Sequence, residues 1–450
     1  MNALNQYIEL YEANVDAIAA HSGEGMNGMR GVALQRLRAL GSLPERGDEG
    51  YEKTSINDMF APDYGVNINR VELPVDISAS FRCGVPNLST LMAFVVNDRF
   101  GASSTLQQNL PAGVTVCSLA AASVTHSELF SRYYGTLATL NNAGTALNTL
   151  LVQDGVFIHV AKGVKMDKAI QLVDIFRTPF PQLAMRRVLL VAEEGSKVAV
   201  LKCDHTQAES QRCLASEVVE IFAEDNAEVE WYDIEESSAE TSRYSQLYAR
   251  QEAGAKLTVS GATLTNGVTR NEYSIDVVGE GATTRLSGMA IGSGKQHIDN
   301  SSDVKHSAGR GHSNQLFKYV LDEQAGGAFE GSIEVCPGAR FVEAYQSNRN
   351  VLASTSARMH TKPQLLIYND DVKCSHGATT GQLDGRAIFY MQTRGIPMAE
   401  ARKLLMQAFM VDVIDTIAME PLRDRLHHMV ERRFAGELVG CRECGAAACN

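Results

Sequence analysis

Four dipeptides, Gly195-Ser196, Asn226-Ala227, Gly254-Ala255 and Gly281-Ala282, punctuate the middle of this chain at spacings of 27 to 31 residues. Gly or Asn before a small residue suits a tight turn with positive φ. Recurrence at that interval falls in the range of stacked structural repeats. Between the turns lie segments of alternating character: GVFIHVAKGV, RRVLLVAEEGSKVAVLKC, AEVEWYDIEES, AKLTVSGATLTNG, NEYSIDVVGEG and GSIEVCPGARFVEAY. They read as short strands. Strands so short and so often broken by glycine suit the rungs of a β-helix-like solenoid, from about residue 152 to 385, better than a β-sandwich core, the competing reading. Beyond Gly281 the rhythm loosens, with Gly327-Ala328 and Gly338-Ala339 out of step.

The flanks differ in texture. Residues 1–151 read as a mixed N-terminal domain. Leu4, Ile8, Tyr11 and Val15 predict one helix, and Val32, Leu34, Leu37, Leu40 and Leu43 a second that Pro44 stops. VELPVDI and MAFVVND read as short strands, and Glu128 to Leu151 as helical. Residues 386–450 read as a C-terminal helical region. After Pro397, Leu405, Phe409, Val413 and Ile417 recur every fourth residue, with Leu404, Ala408 and Ile414 widening the stripe. Glu420-Pro421 restarts a helix with Leu422, Leu426, Met429, Val430 and Phe434 on its apolar side.

Composition bounds the function. The 53 acidic residues against 41 basic ones leave a net charge of −12, which disfavours nucleic acid as a partner. Apolar runs such as Leu189-Leu190-Val191-Ala192 are far shorter than the ~20 residues of a membrane span. The opening MNALNQYIELYEANVD has acids and no basic run, unlike a signal peptide. Nine mostly solitary cysteines point to a reducing compartment, so the cytoplasm is the expected location.

Chemistry concentrates in residues 361 to 396, TKPQLLIYNDDVKCSHGATTGQLDGRAIFYMQTRGI. Leu365 to Tyr368 reads as a strand, Asn369-Asp370-Asp371 as a turn, and Val372 to His376 as a second strand ended by Gly377. Alternation then puts Val372, Cys374 and His376 on one face and Lys373 and Ser375 on the other. A thiolate can accept sulfur or bind iron, and a neutral imidazole suits iron or zinc. The plain alternative makes Val372 and Cys374 core residues and His376 a hydrogen-bonded edge residue.

Two other groupings invite comparison. Cys441, Cys444 and Cys449 in the tail CRECGAAACN have a spacing that could hold zinc or a cluster but lack a fourth ligand nearby. An unstructured thiol-rich tail is the alternative. His297, Asp299, Asp303, His306 and His312 invite a metal-hydrolase reading, yet match no ligand motif and would fall on different rungs or loops of a solenoid. There is no G-x-x-x-x-G-K-[ST] run, so ATP binding through a P-loop is not expected.

The run DDVKCSHGAT, with TKPQLLIY before it and IFY and RGI after it, resembles the signature of the SufD family, a subunit of the Suf iron-sulfur cluster assembly scaffold. About 35 residues resemble it closely, and weaker similarity extends over most of the chain from about residue 150. The related SufB family carries a Glu-His-Glu-Ala-Thr type run where this chain has Cys374 to Thr379, and a scaffold cysteine where Gln346 to Leu352 has none. The segment PERGDEGYEKTSI is faintly similar to an N-terminal SufD element that usually has a Trp, absent here, and is given no role.

The resemblance implies a mainly β fold: a right-handed parallel β-helix-like core flanked by an N-terminal α/β region and C-terminal helices. It implies a non-catalytic scaffold that pairs with SufB and docks the SufC ATPase through the C-terminal helices. His376, and secondarily Cys374, would face SufB's scaffold cysteine across a transient iron-sulfur cluster. A flavin is left open. The alternatives are a stand-alone metal-dependent hydrolase on a β-helix, against which the lack of a defensible carboxylate pair weighs, and a homodimer using its own edge strand twice.

Overall fold

The computed structural model describes residues 2–72, 90–102, 104–207 and 211–437. Its centre is a two-sheet β-solenoid. From Val156–Val160 to Lys373–Gln382, successive strands alternate between two sheets, and each pairs in parallel with the strand two places on. Register steps by one rung: Val268 lies beside His297, His297 beside Gly326, and Gly326 beside Arg358. Parallel pairing throughout excludes the sandwich.

The strands are longer than the sequence suggests, most of them nine to eleven residues. Several glycines that look like breaks lie inside them. At Gly288 a Cβ would sit 2.5 Å from the Phe317 ring, and at Gly331 one would sit 2.3 Å from Gln346 Nε2, so both clear space for neighbouring side chains. Six strands not foreseen complete the rungs: Ile170–Phe176, Cys213–Ala223, Thr241–Gln251, Thr283–Gly292, His297–His306 and His312–Leu321.

One corner explains the repeat. Gly163, Gly195, Asn226, Gly254, Gly281, Arg310 and Phe341 all have positive φ, between 57° and 72°. Each donates its amide hydrogen one rung along, to the carbonyls of Glu194, Asp225, Ala253, Glu280, Gly309, Arg340 and Asp371 in turn. The rhythm does not loosen after Gly281. Arg310 and Phe341 take the left-handed position in place of Gly or Asn, which hides the last steps from a sequence search.

Inside, Val156, Ile158, Val188, Leu190, Val200, Val229, Trp231, Ile275, Phe317 and Phe329 form the main core. A charged cluster is buried with it. Arg186 meets Asp174 at 3.1 Å and Asp204 at 2.5 Å, Lys202 meets Asp204 at 2.6 Å and Glu217 at 3.0 Å, and Arg243 meets Asp204 at 3.1 Å.

The N-terminal region packs on the outer face of one sheet, where Leu183, Met185, Leu189, Val191 and Tyr244 meet helical residues such as Leu4, Ala33 and Phe130. The helix Ala143–Leu151 is buried on all sides. The helix Glu24–Leu40 ends at Gly41, with φ of 79°, and not at Pro44. Val15 and Val32, expected on apolar stripes, are exposed. The strand predicted from MAFVVND is Leu91–Val96, and most of VELPVDI lies outside the described residues.

The C-terminal helices Met398–Ile414 and Glu420–Ala435 lie along the flank of the other sheet rather than capping an end. Met406, Met410, Val413, Ile417, Leu422 and Leu426 pack against Tyr232, Ile234, Met289, Ile291, Val320 and Val351, spanning several rungs. The buried stripe of the first helix is therefore rotated from the expected one, and Leu404 and Ala408 face outward. Among the described residues no helix is long and apolar enough to cross a membrane.

Candidate functional site

Among the described residues the solenoid stops with its last rung uncovered. Arg358–Ile367 and Lys373–Gln382 stand at the ends of the two sheet orders, each paired on one side only. The second strand runs through Gly377 to Gln382 and is not ended by it. Pro363 in the first lacks an amide hydrogen, as befits an edge. The final strand Lys373–Gln382 contains no proline, so every residue keeps its backbone donor.

Register fixes which way its side chains go. Cys374 lies beside Ala344, His376 beside Gln346, Ala378 beside Asn348 and Thr380 beside Asn350, and those four partners are all buried in the solenoid interior. Cys374 and His376 therefore share the lumen face of the open rung. The neighbouring interior is unusually polar: Ser302 donates to Gln315 at 2.7 Å, Gln346 donates to Gln315 at 3.1 Å, and Asn350 donates to Thr380 Oγ1 at 3.2 Å.

The two residues are placed differently. Cys374 is half-buried and packs with Val372 and Leu365 over Ile333, Val335, Ala339, Val342 and Ala344. Burial pushes its thiol above the usual value, against a lowering hydrogen bond from the Ala344 backbone, so it is held as the neutral thiol at physiological pH. His376 is exposed. Lys373, on the opposite face, forms an ion pair with Glu343 at 2.7 Å and does not serve the thiol.

An exposed apolar surface adjoins this rung. The helix Gly385–Thr393, capped by Asp384, has no buried residue, and Phe389 and Tyr390 are 67% and 59% exposed. Leu366, Ile367 and Tyr368 at the end of the other terminal strand are also exposed. The Ile-Phe-Tyr run was the available signal, since a short helix has little reason to carry two aromatic residues facing water.

The other candidates do not assemble. His297, Asp299, Asp303 and His306 belong to one strand rather than to different rungs, and alternation splits them. His306 is fully buried in the interior beside Ser313 at 2.8 Å, whereas Thr54 lies against His297 at 2.9 Å and Asp299 at 2.5 Å on the outer face. His312 begins the next strand. Cys441, Cys444 and Cys449 lie outside the described residues. Among the described residues no three of His, Cys, Asp and Glu gather as a metal set. Among the described residues no further ligand joins Cys374 and His376.

Comparison with known proteins bears on most of the chain. Residues 177–409 match the family described as SUF system FeS cluster assembly, SufBD core domain, and residues 1–172 match the SufBD protein N-terminal region. An iron-sulfur cluster assembly SufBD family protein of Synechocystis is 28% identical over 406 residues, covering 88% of each chain. The iron-sulfur cluster assembly protein SufD of Bacillus subtilis is 26% identical, covering 76% of this chain and 78% of its own. SufD of Escherichia coli is 33% identical over 173 residues, covering 38% of this chain and 41% of its own.

Proposed function

Because the chain belongs to the SufBD family of iron-sulfur cluster assembly proteins, we propose that it is a non-catalytic, SufD-like scaffold subunit. It pairs through its open rung with a SufB-like subunit and builds a nascent cluster at the junction. One observation carries the reading: Cys374 and His376 share the lumen face of an edge strand that has a partner on one side only. An added strand would satisfy the free backbone groups of Lys373–Gln382 and bring its own side chains opposite these two.

Of the pair, His376 is the better iron ligand from this side. It is exposed, with its ring open to an arriving ion, whereas the half-buried Cys374 thiol must lose its proton first. Cys374 gains ligand character only when an approaching cation lowers its pKa. The exposed helix Gly385–Thr393 extends the contact surface beyond the strand.

The C-terminal helices are the proposed seat of a SufC-like ATPase. They grip the sheet flank over several rungs while leaving Met398 and Leu404 exposed, so a pull on them would act on the stacked strands together. ATP-driven closure of the ATPase would then reshape the interface that holds the cluster.

Co-expression of His376→Ala with the partner subunits, followed by iron and acid-labile sulfide analysis of the purified complex, tests the reading. The expected result is an intact complex with little cluster, and a smaller loss with Cys374→Ser. Full loading of the His376→Ala complex would overturn the ligand assignment. Isolation of the chain only as a homodimer, with the partners present, would overturn the pairing.

A further inference from the structure

The interior beneath the open rung holds a stack of two glutamines. Gln315 lies beside Gln346 in register, and Gln346 lies beside His376. Gln315 is fully buried and Gln346 is 4% exposed. Two donors converge on Gln315 Oε1, Ser302 Oγ at 2.7 Å and Gln346 Nε2 at 3.1 Å. In this arrangement the Gln346 amide gives its nitrogen to the rung beneath, and Gln315 Nε2, also buried, has no hydrogen-bond partner among the described residues. Gln346 Oε1 is buried and has no hydrogen-bond partner among the described residues. A buried carbonyl oxygen without a donor is costly. The space is also built for this side chain, since a Cβ at Gly331 would sit 2.3 Å from Gln346 Nε2.

With the interface function proposed above as its footing, we propose that Gln346 is a positioning residue for His376. A turn of the exposed His376 ring, in register beside it, would let the unpartnered Oε1 accept one ring N–H, which fixes the tautomer and directs the other ring nitrogen toward iron arriving at the junction. Histidine ligands generally donate their second N–H to an oxygen of the protein, and loss of that oxygen weakens metal binding. Gln315 acts one step back, by holding the Gln346 amide the right way round.

The first measurement needs no partner and no cluster. In the full chain labelled with nitrogen-15 histidine, the His376 ring signals, assigned by their loss in His376→Ala, report the tautomer at a pH where the ring is neutral. The expected result is a single tautomer in the unmodified chain, a mixture in Gln346→Met, and a single tautomer again in Gln346→Glu, which keeps the acceptor. Gln315→Leu, which frees the amide to turn over, should also give a mixture. A mixture in the unmodified chain, or one tautomer in both Gln346→Met and Gln315→Leu, would overturn the assignment whatever His376 does in assembly. The second measurement is cluster content of the co-expressed complex, expected to fall by about 10-fold or more in Gln346→Met and to recover in Gln346→Glu. If His376→Ala loads fully, the assembly role fails while the tautomer result stands. If His376→Ala is empty but Gln346→Met loads fully, it is the positioning role that fails.

Discussion

Thr54 donates its hydroxyl hydrogen to Asp299 at 2.5 Å, joining positions 245 residues apart in sequence. The same oxygen lies 2.9 Å from His297 Nε2 and, its one proton being spent, accepts there. Asp299 is held from its other side by Arg270 at 2.7 Å. Around this point the segment from Pro44 to Ile56 is fastened across the outer face of the solenoid. Tyr51 lies under the Arg270 guanidinium, and Glu52 meets Lys362 of the terminal strand at 2.8 Å.

Replacing Thr54 by Val keeps the shape and removes the hydroxyl. A buried carboxylate then loses a hydrogen bond, at a cost of about 1.5–3 kcal/mol. The expected outcome is a lower midpoint in urea unfolding and faster tryptic cleavage at Arg46 and Lys53, which lie on the fastened segment. Unchanged cleavage would mean that the segment is held by Tyr51 and Glu52 without Thr54.

Glu235 is buried among the interior charges, and Thr269 donates to its two oxygens at 2.7 and 2.9 Å. Burial pushes its carboxyl up to about 7, against the lowering influence of Arg243. Asp174 is likewise pushed up to about 7 by burial. A folded-state pKa above the unfolded one means that the folded protein binds the proton more tightly. The associated stability is therefore complete below about pH 4 and is lost as pH rises through about 7. Glu235→Gln should flatten the decline between pH 5 and pH 8 and raise stability at pH 8 by up to a few kcal/mol. Thermal melts across that range check the sign, and an equal slope in both proteins would show that Glu235 is not the proton holder.

The left-handed corner offers a separate test. Arg310 has a φ of 57°, a region that suits Gly or Asn and is strained for a β-branched side chain. Its ion pair with Glu280 at 2.8 Å and its stacking on Phe341 are exposed and weak. Arg310→Gly should leave stability equal or slightly higher, and Arg310→Val should lower it by about 1–2 kcal/mol. Denaturant midpoints give the order directly. Val as stable as Gly would mean that the corner relaxes out of the left-handed region.

That corner also shows what the sequence could reveal and what it could not. Gly195, Asn226, Gly254 and Gly281 announce a repeat because positive φ selects their residue types. Arg310 and Phe341 fill the same place by tertiary constraint and leave no compositional trace. The strand His297–His306 escapes notice for a related reason. Its inward residues include Asn300, Ser302 and His306, so the apolar alternation that marks a half-buried strand is missing. Cys374 and His376 were legible as a same-face pair because alternation needs only a strand. Their unequal burial was not, since it depends on Leu365 and Val372 closing over the thiol. The rotated stripe on Met398–Ile414 has the same origin: Met406 and Met410 meet the sheet, and a repeat of every fourth residue does not say which side will do so.

The helix Gly385–Thr393 stands apart, because nothing among the described residues buries its aromatic side chains. Nine residues are too few for a helix to be stable alone in water, and this one has no buried side chain to hold it. In the isolated chain it should exchange its amide hydrogens readily, and a partner seated on Phe389 and Tyr390 should slow that exchange. Phe389→Asp with Tyr390→Ser should change the stability of the isolated chain by no more than about 0.5 kcal/mol, as for surface positions without a structural role. Co-purification with a SufB-like partner should weaken, because a charge would then enter the apolar extension of the proposed contact. A drop of several degrees in the melting temperature of the isolated chain would show instead that the aromatic pair serves internal packing. Undiminished co-purification would confine the contact to the strand Lys373–Gln382.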